Sequence, residues 1–141
     1  MKRLLLVLVL TVAVSCGDGF DDCSQKTNGS FDCSNLDLGD LEFSDEDLKA
    51  VNLEGANFSG ANLEGADFDE KSLKGANFSG ANLTRAKLDE LVLRSANFTG
   101  ANLERADLSG ADLSEADLSE AYLGQVKANQ HTIWPEGFDP E

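Results

Sequence analysis

Ala56-Asn57-Phe58-Ser59-Gly60 is followed at once by Ala61-Asn62-Leu63-Glu64-Gly65, so one five-residue unit is stated twice. Its third position recurs far beyond these ten residues. From Leu38 to Leu123 every fifth residue is Leu or Phe, eighteen positions without a gap. A helix cannot use that spacing. At about 100° per residue, positions five apart diverge by roughly 140°, and the apolar side chains spiral round the cylinder. The intervening Asn, Asp, Ser and Gly also disfavour a long helix. A short extended segment accounts for the unit, because residues two apart point the same way. Ala56 and Phe58 then face inward with Asn57 between them, and Ser59-Gly60 turns the corner.

Gly fills the second corner position at 55, 60, 65, 75, 80, 100 and 110, while Arg85, Arg105, Glu115 and Glu120 fill it elsewhere. That mixture argues against a positive φ at every corner. A longer period gives the number of sides. Residues 51–70 (VNLEGANFSGANLEGADFDE) and 71–90 (KSLKGANFSGANLTRAKLDE) agree at thirteen of twenty positions, and Phe58, Phe78 and Phe98 recur every twenty residues. Residues twenty apart are therefore expected to stack, four units to a coil. The interior ladder includes Phe58, Phe78 and Phe98 in one column and Leu63, Leu83 and Leu103 in the next.

On these residues the chain resembles the pentapeptide-repeat family, whose A(D/N)LXX units run here from Leu36 to about Leu123. The resemblance implies an all-β fold, a right-handed quadrilateral parallel β-helix of roughly 4.5 coils and on the order of 20 Å in length. A coil alone buries nothing, so stability is expected from the stack.

The first residues do not belong to this pattern. Lys2-Arg3 precedes an apolar run from Leu4 to Val14, too short to span a bilayer and suited to a signal peptide. It ends in Ala13-Val14-Ser15-Cys16, which resembles a bacterial lipobox and implies cleavage before Cys16 with lipid attached to that cysteine. Several acyl chains anchor stably where one would not. The expected organisation is a cleaved signal peptide at 1–15, a lipidated tether and cap at 16–34, the β-helix at 35–124 and a C-terminal capping tail at 125–141. The chain would be exported and lipid-anchored to a bacterial membrane. In a Gram-negative cell Gly17 after the lipid cysteine resembles a chain released to the outer membrane.

Without Lys2 and Arg3, nine basic residues face twenty-six acidic ones, a formal charge of −17 against −15 for the full chain. Such a charge discourages contact with nucleic acid or anionic lipid heads. Lys71, Lys74, Arg85, Lys87 and Arg94 cluster in the middle of the pattern, where balancing nearby carboxylates is the simpler role. Lys71, at an inward-type position, is expected to turn to solvent, because a buried unpaired ammonium is costly. Cys23 and Cys33 lie in the exported segment and are expected to form a disulfide across the first coil. At the other end Ile133, Trp134 and Phe138 are expected to cover the last coil, while Pro135 and Pro140 deny donors to further strands.

The chain offers little for catalysis, and no enzyme activity or cofactor is expected. His131 stands without a spaced partner, and no Ser/His/Asp order, CxxC, HExxH or phosphate-binding loop occurs. Asp69-Glu70 beside Asp89-Glu90 is the nearest approach to a cation site, but carboxylates at a solvated corner diverge, and no metal is expected. Asn-x-Ser/Thr at Asn57, Asn77, Asn82 and Asn97 is a product of the repeat. The expected function is a membrane-anchored, non-enzymatic protein that presents a rigid acidic rod to unidentified protein partners in the envelope. The alternative is a cytoplasmic DNA mimic that binds DNA gyrase, as some members of the resembled family do. The charge suits it, and the export segment opposes it.

Overall fold

A computed structural model describes Ser24–Gln25, Phe31–Asp32 and residues 53–68 and 72–140. Cys16, Cys23, Cys33, Asp69, Glu70 and Lys71 lie outside the described residues, and so do the expectations that rest on them. Strand β1 (Ser24–Gln25) pairs antiparallel with β2 (Phe31–Asp32), with Ser24 opposite Asp32 and Gln25 opposite Phe31. The rest is a stack of parallel bridges.

Every bridge but the last joins a residue to the one twenty places on, and the bridges form four columns. Face 1 carries Asn57, Asn77, Asn97 and Asp117. Face 2 carries Asn62, Asn82, Asn102 and Tyr122. Face 3 carries Asp67, Lys87, Asp107 and Lys127, and face 4 carries Ser72, Val92, Asp112 and Ile133. Two hydrogen bonds maintain most steps of a column. On face 1, Phe58 N donates to Asn77 O at 2.7 Å and Asn77 N donates to Ala56 O at 2.8 Å. The bridge positions therefore alternate with the inward-facing ones, which a period-two strand requires.

The apolar residues that flank the bridge positions from Asn57 to Asp117 point inward. Phe58, Phe78, Phe98, Leu63, Leu83 and Leu103 are fully buried, with Ala at the preceding inward position packed beside them. Among the described residues no polar or charged side chain is buried. Phe78 stacks between Phe58 and Phe98, at 5.2 and 5.0 Å between ring centroids and 7° from parallel in both cases. Phe68 meets two of these rings edge-on.

Corners close by a bond from the residue after the turn to the one before it, as from Ala61 N to Phe58 O at 3.0 Å. With positive φ at the second corner residue, this is a type II turn. The expectation that non-glycine corners escape this conformation does not hold. Arg85, Arg105, Glu115 and Glu120 have φ of 59°, 58°, 63° and 59°, beside Gly60 at 65°. Glu90, Ser95 and Gln125 do the same. The stack imposes it: Arg85 N donates to Glu104 O and Arg105 N to Gly124 O, both at 2.8 Å, as Gly60 N donates to Ser79 O. A left-handed residue with a Cβ costs about 1–2 kcal/mol. Arg85, Glu90, Ser95 and Arg105 accept that strain because the alternative leaves their inter-coil bonds unmade.

The stacking continues past residue 124. Lys127 bridges to Asp107, and Val126 packs on the core. The last bridge, Asp112 to Ile133, spans twenty-one residues. One extra residue is thus accommodated within 128–132. Thr132 Oγ1 fills the gap it leaves, accepting from Gly110 N at 3.3 Å and donating to Leu108 O at 2.9 Å.

Candidate functional site

The outward side chains are what this coil offers a partner, and each face has its own chemistry. On faces 1 and 2 the repeated Asn serves the turn that follows it. Asn57 Oδ1 accepts from Ser59 N, Asn82 Oδ1 from Thr84 N and Asn102 Oδ1 from Glu104 N, at 3.0–3.2 Å. The side chain satisfies a backbone donor at the corner that no other coil reaches. The same amides link the coils, since Asn77 Nδ2 donates to Asn57 Oδ1 and Asn82 Nδ2 to Asn62 Oδ1, each at 3.0 Å. The period of five marks the position of these residues, and the Asx-turn preference of Asn and Asp explains their type.

Where Asp replaces Asn, the corner donors act on an ionised group. Ser114 donates to Asp112 through its hydroxyl and its backbone N–H, and Arg94 lies nearby, so the carboxyl is held below the usual range. Ser119 does the same for Asp117 through both groups. At Asp107 burial pushes the carboxyl up, but donors from Ser109 and the Lys127 ammonium outweigh it and the net shift is downward.

Face 3 alternates in sign along the rod: Asp67, Lys87, Asp107, Lys127. Lys87 Nζ lies 2.7 Å from Asp67 Oδ2 and Lys127 Nζ lies 3.4 Å from Asp107 Oδ2. The adjoining corner adds Arg85 with Glu64 at 3.1 Å. Arg94 sits 3.7 Å from Asp112 on face 4. The mid-chain basic residues Arg85, Lys87 and Arg94 thus sit beside carboxylates. Lys74 is exposed in a column with Glu54 and Arg94, as Gly55 N to Lys74 O and Gly75 N to Arg94 O establish.

Asp89 and Glu90 are exposed. Among the described residues no group of His, Cys, Asp and Glu has a geometry that could hold a metal ion. His131 is exposed beside Gln130, 3.2 Å away, on the loop that carries the extra residue.

At the C-terminal end Trp134 and Phe138 pack against the core and on each other, with centroids 5.4 Å apart. Ile133 does not join them. It is 52% exposed, on the outside of face 4. Counting in fives from Leu123 places Ile133 inward, but the extra residue advances the register by one. Trp134 therefore takes the place above Leu113 in the inward ladder. One exposed aromatic went unnoticed in the sequence: Tyr122, 59% exposed at the top of face 2. Its ring lies so close over Gly124 that a Cβ there would meet it at 2.5 Å.

A family model described as pentapeptide repeats, in eight copies, matches residues 32–70, 47–85, 72–100 and 92–127. Together these span more than half of the chain. No curated protein matches the chain. Among solved structures, HetL from the cyanobacterium Nostoc sp. strain PCC 7120 is a pentapeptide repeat protein involved in heterocyst differentiation regulation. It is 33% identical over 72% of this chain, with a TM-score of 0.55. The match covers 42% of HetL, so this chain spans less than half of that protein's length. The pentapeptide repeat protein alr5209 from Nostoc PCC 7120 is 30% identical, over 80% of this chain and 81% of its own, with a TM-score of 0.45. AT2G44920, from the Arabidopsis thaliana thylakoid lumen, is 26% identical over 66% of this chain and 65% of its own, with a TM-score of 0.45. With four bridge columns at a twenty-residue period and the family model matching along them, the chain belongs to the pentapeptide-repeat family.

Proposed function

We propose that this chain is a non-enzymatic, membrane-anchored lipoprotein. It presents a rigid acidic β-helix of roughly 4.5 coils for protein interaction or as an element of envelope structure. The observation that carries the binding part is the wholly apolar interior of the described coils: what they offer a partner stands on their faces. The anchor rests on the apolar run from Leu4 to Val14 and on Ala13-Val14-Ser15-Cys16 after it.

A disulfide between Cys23 and Cys33 belongs to the same reading. It rests on the two cysteines lying in the segment read as exported, where disulfides persist. Peptide mapping with and without reductant tests the bridge.

The deciding experiment for the anchor is metabolic labelling with a radioactive fatty acid, followed by membrane fractionation of wild type and Cys16→Ala. Label and membrane retention lost together in the variant support the lipoprotein. The formal charge of −15 favours a second reading, a cytoplasmic DNA mimic acting on gyrase. An unlabelled, cytosolic wild type would favour it, and a supercoiling assay would follow.

A further inference from the structure

We propose that face 2 binds an extended, uncharged β-1,4-linked glycan, with Tyr122 as its stacking platform and the amide nitrogen of Asn102 as its polar contact. The proposal rests on the reading of the chain as a binding protein and names a ligand class for it.

Tyr122 is 59% exposed on a strongly charged chain, and its ring is not a loose side chain. Gly124 leaves the room the ring occupies, since a Cβ there would stand 2.5 Å from Cζ and Oη. The phenol is thus laid against the backbone with one side open. An aromatic ring with a polar tip suits a ligand that is apolar on one face and hydroxylated at its edge, as a pyranose is.

The track below the ring is neutral. Segments 56–63, 76–83 and 96–103 read ANFSGANL, ANFSGANL and ANFTGANL, so faces 1 and 2 and their shared corner carry no charge through three successive coils. The formal charge of −15 lies elsewhere on the chain. A cationic ligand would be drawn off this track to the carboxylates and an anionic one repelled by them. A neutral ligand is not pulled away. Asn62, Asn82 and Asn102 repeat along it at about 4.8 Å, comparable with one sugar unit of an extended chain. Asn102 Oδ1 is fixed by Glu104 N, and its amide nitrogen makes no bond among the described residues. Because turn bonds already hold these amides, little ordering is required on binding.

The test is calorimetric titration of the full chain, in a polyoxyethylene detergent without sugar, with cellohexaose and with chitohexaose. We expect at least one to bind, with an affinity unchanged between about 50 and about 500 mM NaCl. The two arms separate a plain from an N-acetylated backbone. Tyr122→Ala should weaken binding by about tenfold or more, while Tyr122→Phe and Val92→Ala, on face 4, should retain it. Thermal melts establish that each variant is folded. No heat from either hexasaccharide overturns the proposal, as does a Tyr122→Ala affinity equal to wild type or binding abolished by salt. Fatty-acid labelling at Cys16 is independent of this result, so a failed anchor and a failed glycan site are told apart.

Discussion

Lys87 Nζ lies 2.7 Å from Asp67 Oδ2, across one coil and twenty residues of chain. Asp107 follows in the same column and Lys127 after it, so the charges alternate along the stack. Cross-strand pairs of opposite sign contribute modestly and like charges directly opposite destabilise. Lys87→Glu sets three carboxylates in succession on face 3. We expect a loss of about 1 kcal/mol, reduced at high salt, against less than about 0.5 kcal/mol for Lys87→Gln. Urea denaturation at two salt concentrations measures both. Equal stabilities for the two variants would remove the ladder from the account of the fold.

The corner geometry makes a second prediction. At Gly100, φ is 65° and a Cβ would meet nothing within 4 Å, so alanine there is penalised by conformation alone. Gly100→Ala should lose about 1 kcal/mol. Glu120 stands one coil on in the same column with φ of 59°. Glu120→Gly exchanges strain for backbone freedom, and we expect a gain of up to about 1 kcal/mol. A Gly100→Ala protein that melts like wild type would contradict the left-handed corner.

These corners also mark where the sequence was legible and where it was not. The inward ladder was plain because Leu or Phe at every fifth residue leaves one way to bury them. The corner conformation was hidden, because Arg85 and Arg105 are residues that avoid positive φ when free to choose. What overrides them is a bond to the next coil, which no local residue type records. Ile133 was misplaced for a different reason. A single extra residue within 128–132 exchanges inside for outside at Ile133 and Trp134, and nothing in that short segment announces the insertion. Tyr122 escaped notice because it stands at an Asn position of the repeat. Its exposure becomes informative only with Gly124 beneath it.

Acid should weaken the coil in a defined window. Asp107, Asp112 and Asp117 have folded values below the ordinary 3.8. A carboxylate with a depressed folded value contributes its stability in full above its unfolded value. That contribution is lost as pH falls through the folded one. Melting temperature should therefore change little on this account down to about pH 5 and then fall. Asp112→Asn keeps an acceptor for Ser114 N while removing the titration, so its acid limb should be shallower than that of wild type. Parallel limbs would show that these corner carboxylates are not what acid acts on.

Phe78 is held on both sides along the axis, 5.2 Å from the Phe58 ring and 5.0 Å from Phe98, with Phe68 edge-on at 6.1 Å. The backbone there has little freedom to close a void, since Phe58 N to Asn77 O and Phe78 N to Asn97 O are both 2.7 Å. Phe78→Ala should therefore lose both the transfer term and the cavity term, about 3–5 kcal/mol. Phe78→Leu places a side chain already used at Leu83 in the adjacent column, and should lose about 1–2 kcal/mol for the stacking and a smaller void. In a stack each coil is stabilised mainly by its neighbours. Damage at this central coil should therefore uncouple the two ends and broaden the unfolding transition. Phe78→Ala unfolding as sharply as wild type would mean that the stack is cooperative beyond nearest neighbours.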